Sequence, residues 1–167
     1  MWFDGFLRVP DFRAGERAFQ LLWAAAEGVG AGGRLIVQTL HPNHAAVAAV
    51  RNRDRDAFYR QELECRSELG YPPFRRLCHV SARGKTAAGA TALLEEATAA
   101  LGGIEGLTVY PAMALGAPGA AAAARVRSVV KGPEELPRLL APALRPFLER
   151  GRRSRGVVEI EIDPVGI

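Results

Sequence analysis

Two adjacent prolines, Pro72 and Pro73, directly follow Gly70-Tyr71 and divide this chain more firmly than any other feature. Proline has no backbone N–H to donate, and its ring clashes with the preceding turn, so no helix runs through this point. Gly70 suits the left-handed cap that ends a helix. The residues before the stop read as helical and charged. Those after it alternate between strand and helix periodicities.

After the stop, a strand is expected near Leu77 to Ala82, with Cys78, Val80 and Ala82 on one face. Thr86 is placed to cap a helix carrying Ala90, Leu93, Ala97 and Leu101. "LTVYP" (107 to 111) reads as a second strand and "RVRSVVK" (125 to 131) as a third. Pro133 with Glu134 and Glu135 opens a helix whose stripe is Leu136, Leu140, Ala143 and Phe147. An interior proline costs roughly 3 kcal/mol, so Pro137, Pro142 and Pro146 predict a short or kinked helix. "VVEIEID" (157 to 163) alternates cleanly, with Val158, Ile160 and Ile162 inward. The order is βαββαβ, a ferredoxin-like split βαβ unit.

Upstream, a helix near Ala14 to Ala26 carries Phe19, Leu22 and Trp23 at helical spacing. Glycines at 28, 30, 32 and 33 follow, then an expected strand from Leu35 to Thr39. One helix and one strand cannot bury both their faces, so residues 1 to 42 read as the end of a larger α/β domain. Residues 43 to 74 read as a helical linker, with Asn43 and Asp54 as N-cap candidates. Its second helix has an expected stripe of Phe58, Glu62, Cys65 and Leu69. Residues 75 to 167 form the third segment.

With 49% hydrophobic residues, the 167-residue chain has material for a real core. No apolar run approaches the roughly 20 residues of a membrane span. The N-terminus has an early acid and no apolar h-region, which argues against a signal peptide. Cys65 and Cys78 form no C-x-x-C unit and fit a reduced, cytoplasmic protein without a zinc site. The net charge is +4, and of 22 basic residues only Lys85 and Lys131 are not arginine. A GC-rich genome would produce part of that bias, while arginine clusters also neutralise phosphates.

Several chemical signals fail on inspection. Gly84-Lys85-Thr86 ends like a phosphate-binding P-loop, but His79 stands where the first glycine is required. A turn followed by an N-cap explains it better. His41 and His44 are three apart without a third ligand nearby. Asp4, Asp11 and Glu16 have no adjacent base or nucleophile. The expectation is no catalytic residue and no metal site.

Four segments carry a resemblance: "PDFRAGERAFQLL" (10 to 22), "LIVQTLHPNH" (35 to 44), "AFYRQELECRSELGYPPF" (57 to 74) and "IEIDP" (160 to 164). Collinear over nearly the whole chain, they resemble the C-terminal end of the PriA family of primosomal replication-restart helicases. The resemblance implies the end of a RecA-like second helicase lobe over residues 1 to 42. It implies a ribosomal-protein-like, DNA-binding C-terminal domain after the linker. ATP, magnesium and zinc would be bound by upstream parts of such a protein, with no cofactor in this chain. The implied partners are branched or single-stranded DNA, single-stranded DNA-binding protein and other primosome proteins, with no membrane.

The family's last helicase motif, which reads like T-Q-V-A-G-R-A-G-R, falls directly on the glycine turn. The glutamine place holds Ala24, the first glycine place Glu27, and the two arginine places Gly28 and Ala31. A glutamate repels phosphate, and no side chain there replaces two guanidinium forks. Arg34 is the nearest substitute. The resemblance therefore implies a catalytically inactive chain that recognises forks and scaffolds others.

The resemblance places DNA contact at the third strand, where Arg125, Arg127 and Lys131 are basic but Val126 and Ser128 stand where rings could stack bases. Odd positions put the three on one face as an exposed row. Val126, Val129 and Val130 cannot all point inward on that register, which predicts a bulge near Ser128. Arg150, Arg152, Arg153 and Arg155 add a basic loop before the last strand, and Arg75 and Arg76 follow the proline stop. "ALGAPGAAAAA" (114 to 124) reads as a low-complexity, mobile hairpin connection. Rival readings are a free-standing RNA-binding ferredoxin-like domain and a protein-interaction module.

Overall fold

The computed structural model describes residues 3–8, 11–115, 124–150 and 156–164. They fall into two compact units, one up to Leu69 and the other from Gly70 to Pro164. None of its helices is long and apolar enough to cross a membrane, among the described residues.

The first unit is helical: α1 (Asp4–Leu7), α2 (Ala14–Glu27), α3 (Ala45–Asn52) and α4 (Arg55–Leu69). Phe3, Ala18, Phe19, Leu22, Ala46, Ala49 and Phe58 form one buried cluster, so residues on both sides of position 42 share a core. Phe19 stacks on Phe58 with ring centroids 4.0 Å apart. Such a pair contributes about 0.5–1.5 kcal/mol beyond the area it buries.

Three expectations are corrected in this unit. Residues 35 to 39 form no strand; only Gln38 makes an isolated bridge, its carbonyl accepting from the Phe3 N–H at 3.0 Å. A strand needs a ladder on at least one side, and among the described residues this segment finds a single rung. The cap of α3 is His44, not Asn43: its Nδ1 accepts from the Ala46 N–H at 3.2 Å. Asp54 does cap α4, accepting from the Ala57 N–H at 2.9 Å. The stripe on α4 keeps Phe58, but Cys65 and Leu69 are exposed. Its inner edge continues instead through Glu62 and Arg66, because Glu16 on α2 offers Arg66 a carboxylate at 2.9 Å beside Glu62 at 2.7 Å.

The second unit holds β1 (Arg76–Gly84), α5 (Ala87–Ala99), β2 (Thr108–Val109), β3 (Met113–Leu115), β4 (Ala124–Gly132), α6 (Leu136–Arg150) and β5 (Gly156–Ile162). Every pairing is antiparallel, in the order β2-β4-β1-β5, with β3 also on β4. Cys78, Val80, Ala82, Val126, Val130 and Val158 line one sheet face, against Ala90, Leu94 and Ala97 of α5 and Leu136, Leu140, Leu144 and Phe147 of α6. Each fully buried leucine contributes about 1.5–3 kcal/mol. Both helices thus cover one face and leave the other to the strands' own polar side chains.

Local chemistry explains the elements. Gly70 takes φ +61, the left-handed value its place after α4 demands. Thr86 caps α5, its Oγ1 accepting from the Gly89 N–H at 3.1 Å. At the end of β1, a Cβ on Gly84 would stand 2.9 Å from the Ala90 backbone nitrogen, so only glycine lets α5 approach so closely. On α5, Leu94 is buried where Leu93 was expected, and on α6 Leu144 takes the deepest place beside Ala143.

Two further expectations meet the structure in this unit. Of the short or kinked helix expected, α6 is not the short one: it runs over Leu136–Arg150 with Pro142 and Pro146 inside. Both prolines are exposed, on the side of α6 away from its buried stripe. There is no bulge near Ser128, since β1 and β4 pair without interruption from Arg76↔Gly132 to Gly84↔Ala124. Ser128 points into the core in step with Val126 and Val130, and its hydroxyl donates to the Tyr110 carbonyl at 2.6 Å. A satisfied hydroxyl can be buried, which leaves Val129 on the polar face without any slip in register. The short strand β3, Met113–Leu115, runs into the start of the 114 to 124 stretch, where only a low-complexity connection was expected.

Candidate nucleic-acid interface

Antiparallel partners share a face, so the register fixes the composition of the helix-free side. On β4 it carries Arg125, Arg127, Val129 and Lys131, opposite Arg83, Ser81, His79 and Leu77 of β1. On β5, Glu159 lies opposite Ser81 and Glu161 opposite His79. The three expected basic residues do occupy one face, but their surroundings differ.

Arg125 is partly exposed and ion-paired with Glu159 at 3.2 Å, and Arg83 binds the other oxygen of the same carboxylate. Lys131 is buried, with its Nζ 3.5 Å from the centroid of the Tyr71 ring and 5.2 Å from that of Tyr110. An ammonium at such distances is attracted by the negative faces of both rings. Arg127 is 7% exposed, and its one side-chain hydrogen bond among the described residues is a long contact from Nε to Ser81 Oγ at 3.4 Å. Burial, then the Arg125 charge, lowers its pKa from the usual guanidinium value, partly offset by Glu161. The row is therefore not the uniformly exposed one expected from alternation.

Arg76 is paired with Glu134 at 3.1 Å and with Asp163 at 2.8 Å, and Arg75 donates to the Gly106 carbonyl. These two hold the start of β1 to its neighbours. Arg152, Arg153 and Arg155 lie outside the described residues, as does most of the 114 to 124 connection.

The sequence reading gave neither Tyr71 nor Tyr110 a role at this face. Tyr71 follows Gly70 outside any strand, and Tyr110, expected within a strand over 107 to 111, stands just after β2, which is only Thr108–Val109. The hint available in sequence was their proximity to prolines 72, 73 and 111, which fix the backbone beside them.

The glycine turn lies in the first unit. Glu27 is exposed and accepts from the Trp23 indole N–H at 2.6 Å. The Gly28 N–H closes α2 onto the Ala24 carbonyl at 3.0 Å. Ala31 and glycines 30, 32 and 33 border a cavity of about 450 Å³, whose other walls include Leu22, Val37, Val47, Arg51 and Arg53. Arg34 is exposed and not among the lining residues.

The remaining chemical candidates have structural roles. Asp4 is buried and accepts from the Thr39 hydroxyl at 2.6 Å and the Leu40 N–H at 2.9 Å. Asp11 pairs with Arg17 at 2.8 Å and Glu16 with Arg66. Burial pushes the Cys78 thiol up to about 12, far from a reactive thiolate. Among the described residues, no group of three or more His, Cys, Asp or Glu is placed to hold a metal.

The second unit is thus a small α/β domain with one antiparallel sheet, helices on one face and a largely buried row of basic, polar and aromatic side chains on the other. The chain belongs to the primosomal protein N C-terminal domain family (PriA_C), whose model matches residues 67–165. It is 37% identical to the "Replication restart protein PriA" of Treponema pallidum over 98% of this chain and 26% of that protein. The protein of the same name from Chlamydia pneumoniae is 38% identical over 49% of this chain and 11% of its own length. That from Bacillus subtilis is 33% identical over 56% and 12%. The chain thus spans about a quarter or less of these relatives' lengths. Among solved structures, CPII bound to ADP and bicarbonate, from Thiomonas intermedia K12, covers 55% of this chain and 90% of its own at 20% identity, with a TM-score of 0.26.

Proposed function

We propose that this chain provides DNA binding and scaffolding for replication restart, at branched or single-stranded DNA, without hydrolysing ATP itself. Family membership and the shared name of the relatives support the restart role. The observation that carries DNA binding is the helix-free face, where Arg83 and Arg125 share the Glu159 carboxylate and Arg127, opposite Ser81, lies outside those ion pairs. A surface with more guanidinium than carboxylate attracts phosphates and releases their counterions.

On this reading residues 1 to 42 are the end of a RecA-like lobe, and residues 75 to 167 form a ferredoxin-like, ribosomal-protein-like domain. Glu27, Gly28 and Ala31 stand where motif arginines and glycine would handle nucleotide phosphates, and a carboxylate there opposes an anion. ATP, magnesium and zinc belong to parts of the larger relatives upstream of this region. Single-stranded DNA-binding protein and other primosome proteins are the partners such a role implies, in the cytoplasm.

The test is binding to forked DNA by the whole chain and by an Arg125→Ala, Arg127→Ala variant. The variant should bind more weakly while staying folded, with its salt slope flatter by about one unit for each phosphate it no longer engages. Unchanged affinity and slope would move DNA off this face and give the protein-interaction reading first place.

A further inference from the structure

Strand β5 ends the sheet, and one of its edges is open. Its one strand partner among the described residues is β1, from Cys78↔Ile162 to Gly84↔Gly156. The Asp163 N–H donates to the Leu77 carbonyl at 2.7 Å, which makes these two a hydrogen-bonded pair. Antiparallel pairs alternate, so Glu161, Glu159 and Val157 also turn their backbone groups toward β1. Val158, Ile160 and Ile162 then turn theirs outward, and none of the three has a backbone partner on that side among the described residues. An open row of this kind is a template for a further strand. Natural edges are often blunted by a proline, a lysine or a bulge, and β5 has none of these over Gly156–Ile162.

The two faces of β5 specify what such a strand must carry. Ile160 and Ile162 pack against the core on the helix-covered face, yet both are only half-buried. On the other face Glu159 is held by Arg83 and Arg125, and at the end of the strand Asp163 is held by Arg76. Glu161 has no arginine or lysine at ion-pair distance among the described residues. Its contact there is His79 Nδ1 at 3.8 Å, a group charged only when protonated, and its side chain is 56% exposed. Across the open edge the glutamates fall in the pairs that exchange no hydrogen bonds, where facing side chains approach most closely. A residue added opposite Glu161 is therefore favoured when basic, and one opposite Ile160 or Ile162 when apolar. A second β5 fails this requirement, because antiparallel self-pairing on this edge brings glutamate against glutamate.

We infer that the open edge of β5 binds a partner protein by strand addition, taking an extended segment that alternates apolar and basic residues. The added strand runs antiparallel and exchanges backbone hydrogen bonds with Val158, Ile160 and Ile162. Those bonds hold the segment, and Glu161 selects it against acidic ones. The inference goes beyond the DNA-binding reading and does not depend on it.

The experiment measures fluorescence anisotropy of the whole chain with a labelled, end-capped peptide as long as β5 that alternates valine and arginine. Methylating the valine amide nitrogens removes the hydrogens that face β5, and methylating the arginine amide nitrogens removes those that face away. The first modification should weaken binding about tenfold or more, and the second by less than about twofold. Glu161→Lys should weaken the arginine peptide about threefold and strengthen a glutamate counterpart by a similar factor. Amide hydrogen exchange at Val158, Ile160 and Ile162 should slow when the arginine peptide binds. Equal losses from the two methylations, no response to Glu161→Lys in a folded variant, or no binding of the arginine peptide would overturn the inference. A chain that pairs with itself in solution, and is made monomeric by Ile160→Pro, would also overturn it and give the edge to a second copy. Failure of the DNA-binding reading would leave every one of these outcomes unchanged.

Discussion

Glu159 restrains the basic face, and replacing it with glutamine should strengthen DNA binding. Its two oxygens hold Arg83 and Arg125, the latter at 3.2 Å, and its side chain is 36% exposed. Glu159→Gln keeps the shape and removes one negative charge from the middle of the row. A phosphate on the far side of Arg125 would lie about 7 Å from that carboxylate. The repulsion removed is then about 0.6 kcal/mol at a dielectric of 80 and about 2.4 at 20. Partial exposure favours the lower end, so affinity should rise by about three- to tenfold. If both freed arginines reach phosphates, the salt slope on single strands should steepen by about 1.4, at about 0.7 per phosphate engaged. The stability cost should stay within about 1 kcal/mol, because exposed ion pairs contribute little. Anisotropy titrations across several salt concentrations, paired with thermal melts, would read both quantities. Equal or weaker affinity in a folded variant would refute this picture of the face.

Two other outcomes are expected. His44 caps α3 through a neutral Nδ1, and its pKa is lowered from 6.5 by burial first and then by His41, against the opposing charges of Glu62 and Asp4. A base with a depressed folded pKa contributes stability that is complete above pH 6.5 and lost as pH falls through its folded value. Thermal melts should therefore show the first unit weakening on acidification, and His44→Asn should keep the cap but flatten that pH dependence; an identical acid loss in the variant would contradict this. The chain should also release no phosphate from ATP above a protein-free control, with or without DNA. Release abolished by Arg34→Ala, or by Arg51→Ala at the cavity edge, would show that the altered turn still works.

Sequence periodicity located most of the second unit because its elements obey one strong rule each. Cys78, Val80 and Ala82 alternate, Thr86 caps, and Leu136, Leu140 and Phe147 follow the helical repeat. Failures came where a polar side chain replaced an expected apolar one. Ser128 reads as a break in a valine strand until the Tyr110 carbonyl supplies its partner from β2's end. Arg66 cannot be recognised as inward facing without Glu16, fifty residues away. Prolines 142 and 146 looked prohibitive because their cost was counted without knowing that they face solvent.

The candidate face was half legible. Parity alone put Arg125, Arg127 and Lys131 together. It could not separate a neutralised arginine from one without a carboxylate, because Glu159 and Ser81 come from strands distant in sequence. That Tyr71 and Tyr110 lie beside Lys131 was unreadable for the same reason.

Location can be read directly by amide and arginine side-chain chemical shifts of the labelled chain as single-stranded DNA is added. Arg127 Nε–H, Tyr110, Val129 and their neighbours on β1 and β5 should shift together and saturate with the binding curve, while α5, α6 and the glycine turn stay in place. Shifts concentrated on α3 and α4, or none on β4 at saturation, would contradict DNA binding by the helix-free face.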